Sequence, residues 1–162
     1  MWVALRDCMI ADNEPPLPST GSVLRSMGVR VSGTLSAAEA GAVDAVDEVS
    51  TTVESVPWLV EYVFTGTAGQ ARDVDIHGGG GGGQHSGAEF VLAIDGHRFQ
   101  VRFDSWGRDL HAGSRVAVRG QLSLVADYEW DAFQLIDSRA DWRVRDVVVL
   151  DAGCAMLDLD YA

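Results

Sequence analysis

Apolar and polar residues alternate most regularly over residues 88–103, on both sides of the dipeptide Asp95-Gly96. A period of two is typical of strands that bury one face, and Asp-Gly is typical of a two-residue type I′ turn, so we predict a β-hairpin. Its register places six side chains on the buried face, namely Phe90, Leu92, Ile94, Phe99, Val101 and Phe103. On the opposite face it pairs Ala93 with Arg98, Val91 with Gln100 and Glu89 with Arg102.

Other alternating runs predict strands on either side of this hairpin. Residues 115–124 alternate apolar with polar residues around Gly120, which is typical of a bulge or of a coiled barrel strand. Residues 58–74 predict a first strand, and residues 142–150 predict a last strand that is buried on both faces toward its end. Between residues 36 and 50, the capping-box pattern Ser-Ala-Ala-Glu predicts a short helix.

Two segments of the chain resemble each other. Residues 28–36 read Gly-Val-Arg-Val-Ser-Gly-Thr-Leu-Ser, residues 115–123 read Arg-Val-Ala-Val-Arg-Gly-Gln-Leu-Ser, and each precedes a run that begins with tryptophan, Trp58 or Trp142. The likeness indicates either a diverged repeat or two strands that meet the same demand for coiling. Because the central hairpin occurs only once, we favour the second explanation.

These elements predict one domain over residues 1–162, mainly β, with a small barrel of about five to seven short strands and one short helix. The barrel is expected at residues 58–150, between an acidic extension at 1–57 and an acidic tail at 151–162. Whether the extension packs on the barrel stays open. Six glycines at 78–83 predict a flexible loop, because no helix pattern follows them as a phosphate-binding loop requires.

Hydrophobicity argues for a cytoplasmic protein without a membrane partner. The 162 residues are 47% hydrophobic, enough for a core, but the longest aliphatic run covers only residues 147–150, whereas a membrane helix needs about 20 apolar residues. The first residues do not show the pattern of a secretory signal. In a reducing compartment Cys8 and Cys154 are expected to be free thiols, and we assign them no chemistry.

Charge excludes several classes of enzyme. All 12 basic residues are arginines, as is typical of proteins from GC-rich genomes such as those of actinobacteria. The absence of lysine excludes P-loop, pyridoxal Schiff-base and S-x-x-K chemistry. The net charge of −12 divides into −5 over residues 1–57, −4 over 58–150 and −3 over 151–162. An acidic surface repels polyanions at long range, so any nucleic-acid site must be a local patch.

Four motifs occur in a recognisable order: the apolar strand 90–94, the Phe-Asp-Ser-Trp-Gly segment 103–107, the Leu-x-x-Gly-x-Arg-Val-x-Val-x-Gly-x-Leu segment 110–122, and Tyr128-Glu-Trp130. In this order, residues 88–150 resemble the OB-fold of bacterial single-stranded DNA-binding proteins. The Asp/Leu-rich end, residues 156–162, is similar to that family's acidic tail. The chain departs from the family in having no lysine, a long acidic segment before the barrel, and no Pro-Phe ending.

The resemblance implies a binding face. OB-folds hold single strands on the face of their second and third strands, with cationic grooves and aromatic platforms. The residues that would form this nucleic-acid-binding face are Arg98, Arg102, Arg115, Arg119, Trp106, Tyr128 and Trp130. The alternative is structural: Glu89 neutralises Arg102, and Trp106 and Trp130 cap the core.

No catalytic, cofactor or metal site is predicted. The histidines lack metal-ligand spacing, and the acidic clusters at 44–48 and 127–131 accompany no nucleophile motif; the four histidines are His77, His85, His97 and His111. We therefore expect a non-enzymatic binding module that recognises single-stranded nucleic acid. The alternative is a protein-interaction or homo-oligomerisation module, and an enzyme of unfamiliar type ranks third.

Overall fold

The described residues form ten β-strands that belong to a single sheet. The computed structural model describes residues 1–5, 17–49, 60–77, 84–103, 110–125, 129–130, 135–151 and 154–162. The strands are β1 (Trp2–Leu5), β2 (Val23–Ala37), β3 (Ala45–Val49), β4 (Glu61–Ala68), β5 (Arg72–His77), β6 (Gln84–Ile94), β7 (His97–Phe103), β8 (Arg115–Val125), β9 (Ala140–Asp151) and β10 (Cys154–Tyr161). The prediction of a mainly β fold is confirmed.

Eight of these strands close a circuit of hydrogen-bonded neighbours. The circuit runs β4, β8, β1, β10, β9, β2, β7 and β6, and returns to β4 through the pairs Thr67–Ala93 and Ala68–Leu92. β3 lies beside β4, and β5 lies beside β6. β1 and β2 come from the segment that was predicted as an acidic extension, and β10 comes from the predicted acidic tail. Both segments are thus part of the closed sheet.

Pairing between β2 and β8 divides the circuit into two five-stranded rings. The first ring is β2, β7, β6, β4 and β8, and the second is β8, β1, β10, β9 and β2. In each ring one pair is parallel, β2 with β7 or β8 with β1, and the other four pairs are antiparallel. Because β2 and β8 hold equivalent places, this arrangement supports a diverged repeat for the similar segments 28–36 and 115–123.

Two glycines face each other in the shared pair. Gly33 lies opposite Gly120 in the β2–β8 register. A Cβ on Gly33 would come within 2.0 Å of the carbonyl oxygen of Arg119, and a Cβ on Gly120 within 2.3 Å of the carbonyl oxygen of Ser32. The two backbones therefore approach more closely than any side chain allows, and this is the reason for glycine inside both strands.

One hydrophobic cluster fills the interior and joins the two rings. Phe99 of β7 lies 5.1 Å from Phe64 of β4 and 6.1 Å from Trp142 of β9, measured between ring centroids. Trp142 is fully buried, and its indole N–H donates to the carbonyl of Met27 at 2.9 Å. Aromatic contacts thus connect the core of the first ring to β9 of the second.

The central hairpin forms as predicted. β6 and β7 pair Ile94 with His97 and Glu89 with Arg102, and Asp95 and Gly96 both have positive φ, as a type I′ turn requires. All six residues assigned to the inner face are buried, namely Phe90, Leu92, Ile94, Phe99, Val101 and Phe103.

The predicted strand count and the short helix are wrong. The described residues form ten strands rather than five to seven, and residues 38–49, within the predicted helix region, form a turn followed by β3 instead of a helix. The reason is an open edge on β4: β6 pairs only with Thr67 and Ala68, so Glu61–Thr65 needs another partner, which β3 supplies. The described part of residues 58–74, which were predicted as one strand, contains β4 and the start of β5 with a connection between them.

The burial predicted for the end of β9 is also wrong. Val148 and Val149 are 37% and 60% exposed, because only β10 flanks β9 beyond Val144 among the described residues. Glu129 and Trp130 have helical backbone, and no helix of the described chain is long and apolar enough to cross a membrane. The glycines at 78–83 and Cys8 lie outside the described residues.

We predict that Gly33→Ala lowers the free energy of unfolding by about 3 kcal/mol, since the added methyl forces β2 and β8 apart. Urea denaturation measures the change. Thr34→Ala, at an exposed position of the same strand, is the control and should change stability by less than about 0.5 kcal/mol. Equal stability of the two variants would contradict the close approach of β2 and β8.

Candidate nucleic-acid interface

Arg98 is the exposed arginine of the predicted face that makes no ion pair with another described residue. It lies on β7 beside the hairpin turn, opposite Ala93. Ala93 is opposite Thr67, and Thr67 is opposite Arg115, so a single row of residues crosses β7, β6, β4 and β8. With strands about 4.8 Å apart, the Cα atoms of the two arginines are about 14 Å apart.

Arg115, at the other end of this row from Arg98, is held by Thr67 and by the loop before β3. Its guanidinium pairs with the carboxylate of Asp44 and donates to the carbonyl of Ala42 at 2.9 Å and to the hydroxyl of Thr67 at 3.2 Å. The backbone N–H of Asp95 also donates to Asp44, at 2.8 Å. This hydrogen bond first, and Arg115 next, lower the pKa of Asp44 below its ordinary value of 3.8. Asp44 therefore joins the loop before β3 both to Arg115 of β8 and to the hairpin turn.

Arg119 pairs with a carboxylate of the adjacent strand. Its Nη2 and Nε atoms lie 2.8 and 2.9 Å from one carboxylate oxygen of Glu61 on β4. Both side chains remain partly exposed, so the pair contributes little to stability. The pair does neutralise the positive charge that Arg119 would contribute to the predicted nucleic-acid-binding face.

Arg102 belongs to a buried network centred on Glu89. The Glu89 carboxylate is fully buried and lies 3.2 Å from Arg102 and 2.9 Å from Arg72. The side-chain amide of Gln100 donates to the same carboxylate at 3.0 Å. The structural alternative for Arg102, neutralisation by Glu89, is therefore present in the structure.

The network continues across β2. The Nε of Arg30 donates to the amide oxygen of Gln100 at 2.8 Å, and its Nη2 lies 2.7 Å from the carboxylate of Glu129. Arg30 and Glu129 are both nearly fully buried. Buried charges are stable only when they are paired and hydrogen-bonded, as they are here. Together with Glu89 and Gln100, these residues form a continuous polar layer on the outer side of β6, β7 and β2.

Trp130 is packed against the barrel instead of standing free as a stacking platform. Its ring fills the space beside Gly28, where a Cβ would lie 2.3 Å from the ring carbon Cζ2. The guanidinium of Arg139 lies 5.3 Å from the centroid of the ring, in cation–π contact. Trp106 and Tyr128, the other predicted aromatic residues, lie outside the described residues.

A surface groove adjoins Arg98. We call it the Arg98 groove; its volume is about 290 Å³, and its lining includes Thr67, Gly69, Gln70, Val91, Ala93, Arg98 and Ile136. Val91 and Ala93 of β6 supply apolar surface, and Arg98 and Gln70 supply polar groups. Asp137 lies close to this groove, where Arg139 first, and Arg98 to a smaller extent, lower its pKa.

Sequence reasoning found Arg98 but missed the groove and most of the network. The hairpin pattern places Glu89 beside Arg102, yet it carries no information about Arg30 or Glu129, which come from distant parts of the chain. No group of three metal-ligating side chains occurs among the described residues. His97 stacks on Tyr161 with 3.4 Å between ring centroids, and His111 is exposed.

We predict that Glu89→Gln lowers the free energy of unfolding by about 3 kcal/mol, because Arg72 and Arg102 would keep their charges in a largely buried site without the carboxylate. The control is Glu61→Gln, which breaks the partly exposed pair with Arg119 and should cost less than about 1 kcal/mol. Chemical denaturation of both variants measures the difference. A loss for Glu89→Gln no greater than for the control would contradict the network.

We also predict a loss of stability above pH 10 that depends on Tyr161. Burial first, and the charge of Asp160 second, raise the pKa of its phenol above the ordinary value of 10. Because the pKa is higher in the folded than in the unfolded chain, the stabilisation is complete below about pH 10 and is lost as the pH rises further. Tyr161→Phe should weaken this dependence in denaturation curves at increasing pH; an unchanged dependence would contradict it.

The described chain thus brings together one exposed cation and a groove with apolar walls, whereas Arg102, Arg115 and Arg119 each bind a carboxylate. The four arginines do not form one continuous cationic face. No protein-family model, curated protein or solved structure matches the chain.

Proposed function

We propose that this protein is a non-enzymatic binding module that holds a short single-stranded nucleic acid in the Arg98 groove. The observation that carries the proposal is the position of Arg98, an exposed guanidinium without an ion pair among the described residues, beside a groove with apolar walls. A guanidinium binds phosphate through charge-assisted hydrogen bonds, and apolar walls accept the flat face of a base.

The first ring supports this proposal. It has five strands, as OB-folds have, and β6 and β7 are its second and third strands when the count begins at β4. Val91, Ala93 and Arg98, three of the eight residues that line the groove, belong to these two strands, whose face OB-folds use for single strands. The ring differs from the predicted barrel in one strand. β2, which precedes the other four strands in the chain, closes the ring, whereas β9, predicted as the last strand of the barrel, lies outside it.

Charge sets the expected strength of binding. The net charge of −12 opposes any polyanion, and three of the four predicted arginines have their charge matched by a carboxylate. Only one or two phosphates are therefore neutralised. For a single strand each phosphate contact contributes about −0.7 to the slope of log affinity against log salt, so the slope should be about −1.

We predict that Arg98→Gln weakens binding of a fluorescent oligothymidine about tenfold, since one charge-assisted contact is lost, and reduces the salt slope by about 0.7. Fluorescence anisotropy at low and moderate salt measures both quantities. The matched control is Arg25→Gln, which removes the same charge from a side chain that is 81% exposed, on β2 outside the groove. Equal affinity of the two variants, or no binding by the wild type at low salt, would contradict the proposal.

Arg119→Gln distinguishes a local groove from a continuous arginine face. Because Arg119 is paired with Glu61, its loss should leave affinity within about twofold of the wild type. A loss as large as that of Arg98→Gln would instead indicate that the binding surface extends across β8.

A second candidate function is a protein-interaction or oligomerisation module. The exposed valines of β9 favour it, because clustered exposed apolar residues often mark an interaction site. This surface lies on the second ring, and Arg98 lies on the first.

A further inference from the structure

We infer that the Arg98 groove holds one nucleotide that carries a terminal phosphate, in preference to the interior of a strand. This inference rests on the proposed function and names the part of a nucleic acid that the site takes. Two sources supply the same chemistry, a phosphate monoester on one nucleotide: the phosphorylated end of a single strand and a free nucleoside monophosphate.

The size of the groove suits one nucleotide. Its volume of about 290 Å³ lies at the lower end of the range for small-molecule pockets, which is roughly 300–1,000 Å³. Its apolar surface comes from two separate parts of the chain, since Val91 and Ala93 belong to β6 and Ile136 precedes β9. The described lining therefore offers apolar contacts to a single base.

The groove lacks the aromatic residues that bind successive bases. Single-strand-binding proteins stack one base after another on aromatic side chains. None of the described residues that line the groove is aromatic, and the ring of Trp130 packs beside Gly28. The described lining therefore does not supply base stacking along a longer strand.

The charge of the groove favours a terminal phosphate over an internal one. Arg98 supplies one guanidinium without an ion pair among the described residues. An internal phosphate carries one negative charge, whereas a terminal phosphate carries about 1.5 to 2 at pH 7 and has three acceptor oxygens. A guanidinium donates to two such oxygens side by side. A single cation therefore binds a phosphate monoester more strongly than a diester.

Further phosphates find no second unpaired guanidinium in the described row that crosses the groove. Arg115 lies about 14 Å from Arg98 along this row and already pairs with Asp44. Arg139 first, and Arg98 to a smaller extent, lower the pKa of Asp137, so a charged carboxylate stays close to Arg98 at neutral pH. The net charge of −12 also repels each added phosphate. A longer strand should therefore gain little affinity.

Competition titrations followed by fluorescence anisotropy test this inference. A labelled oligothymidine is displaced by unlabelled strands of about ten nucleotides that are phosphorylated at the 5′ end, at the 3′ end or at neither end. The better of the two phosphorylated strands should compete about tenfold more strongly than the unphosphorylated strand, because its phosphate adds charge at Arg98. Phosphorylated dithymidine should compete within about threefold of the longer phosphorylated strand.

Thymidine monophosphate distinguishes the two sources of the terminal phosphate. Competition equal to that of the phosphorylated strand would assign the groove to free nucleotides, and competition by the phosphorylated strand alone would assign it to strand ends.

Two variants locate the effect. In Arg98→Gln the phosphorylated and unphosphorylated strands should compete within about twofold of each other, because the guanidinium that distinguishes them is gone. The matched control is Arg25→Gln, which removes an arginine outside the groove and should keep the tenfold preference. A preference that persists in Arg98→Gln would place the terminal phosphate elsewhere and overturn the inference.

Two further outcomes would remove this inference and leave the proposed function intact. In the first, strands bind in a manner that depends on Arg98 but gain nothing from a terminal phosphate. In the second, affinity rises steadily with each added nucleotide. If neither strands nor thymidine monophosphate bind at low salt, the proposed function fails together with the inference.

Discussion

The pairing of β2 with β8 is the contact on which the rest of the structure depends. It is the longest antiparallel ladder that β2 makes, and both five-stranded rings use it. The approach of Gly33 to Gly120 makes it possible, because a side chain at either position would overlap a backbone carbonyl. Without this ladder the eight-stranded circuit would not be divided into two closed rings.

The same pair organises the polar groups outside the core. Arg30 projects from β2 into the buried network that ends at Glu89, and Arg119 projects from β8 to Glu61. An acidic protein that has only arginine as a strong cation thus employs most of the predicted arginine face in internal pairs. Arg98 differs because its neighbours in the row are Ala93 and Thr67, which offer no charge.

The two candidate interaction surfaces therefore lie on different rings and have different chemistry. The Arg98 groove offers a cation and apolar walls on β6 and β7, which suits a phosphate and a base. The exposed end of β9 offers Val148 and Val149, which suit a protein partner. The end of β9 is exposed because its pairing with β2 stops at Arg143 among the described residues.

The sequence by itself determined the mainly β class, the β6–β7 hairpin with its inner face, and the neighbourhood of Glu89 and Arg102, because alternation and turn residues act over a few positions. It also contained the likeness of residues 28–36 and 115–123. Only the tertiary structure decided that these segments pair, that β3 replaces a helix, that Glu129 reaches Arg30, and that the end of β9 is exposed. Each of these features depends on residues that are far apart in the chain. A local sequence pattern does not show which edge of a closed sheet still needs a partner.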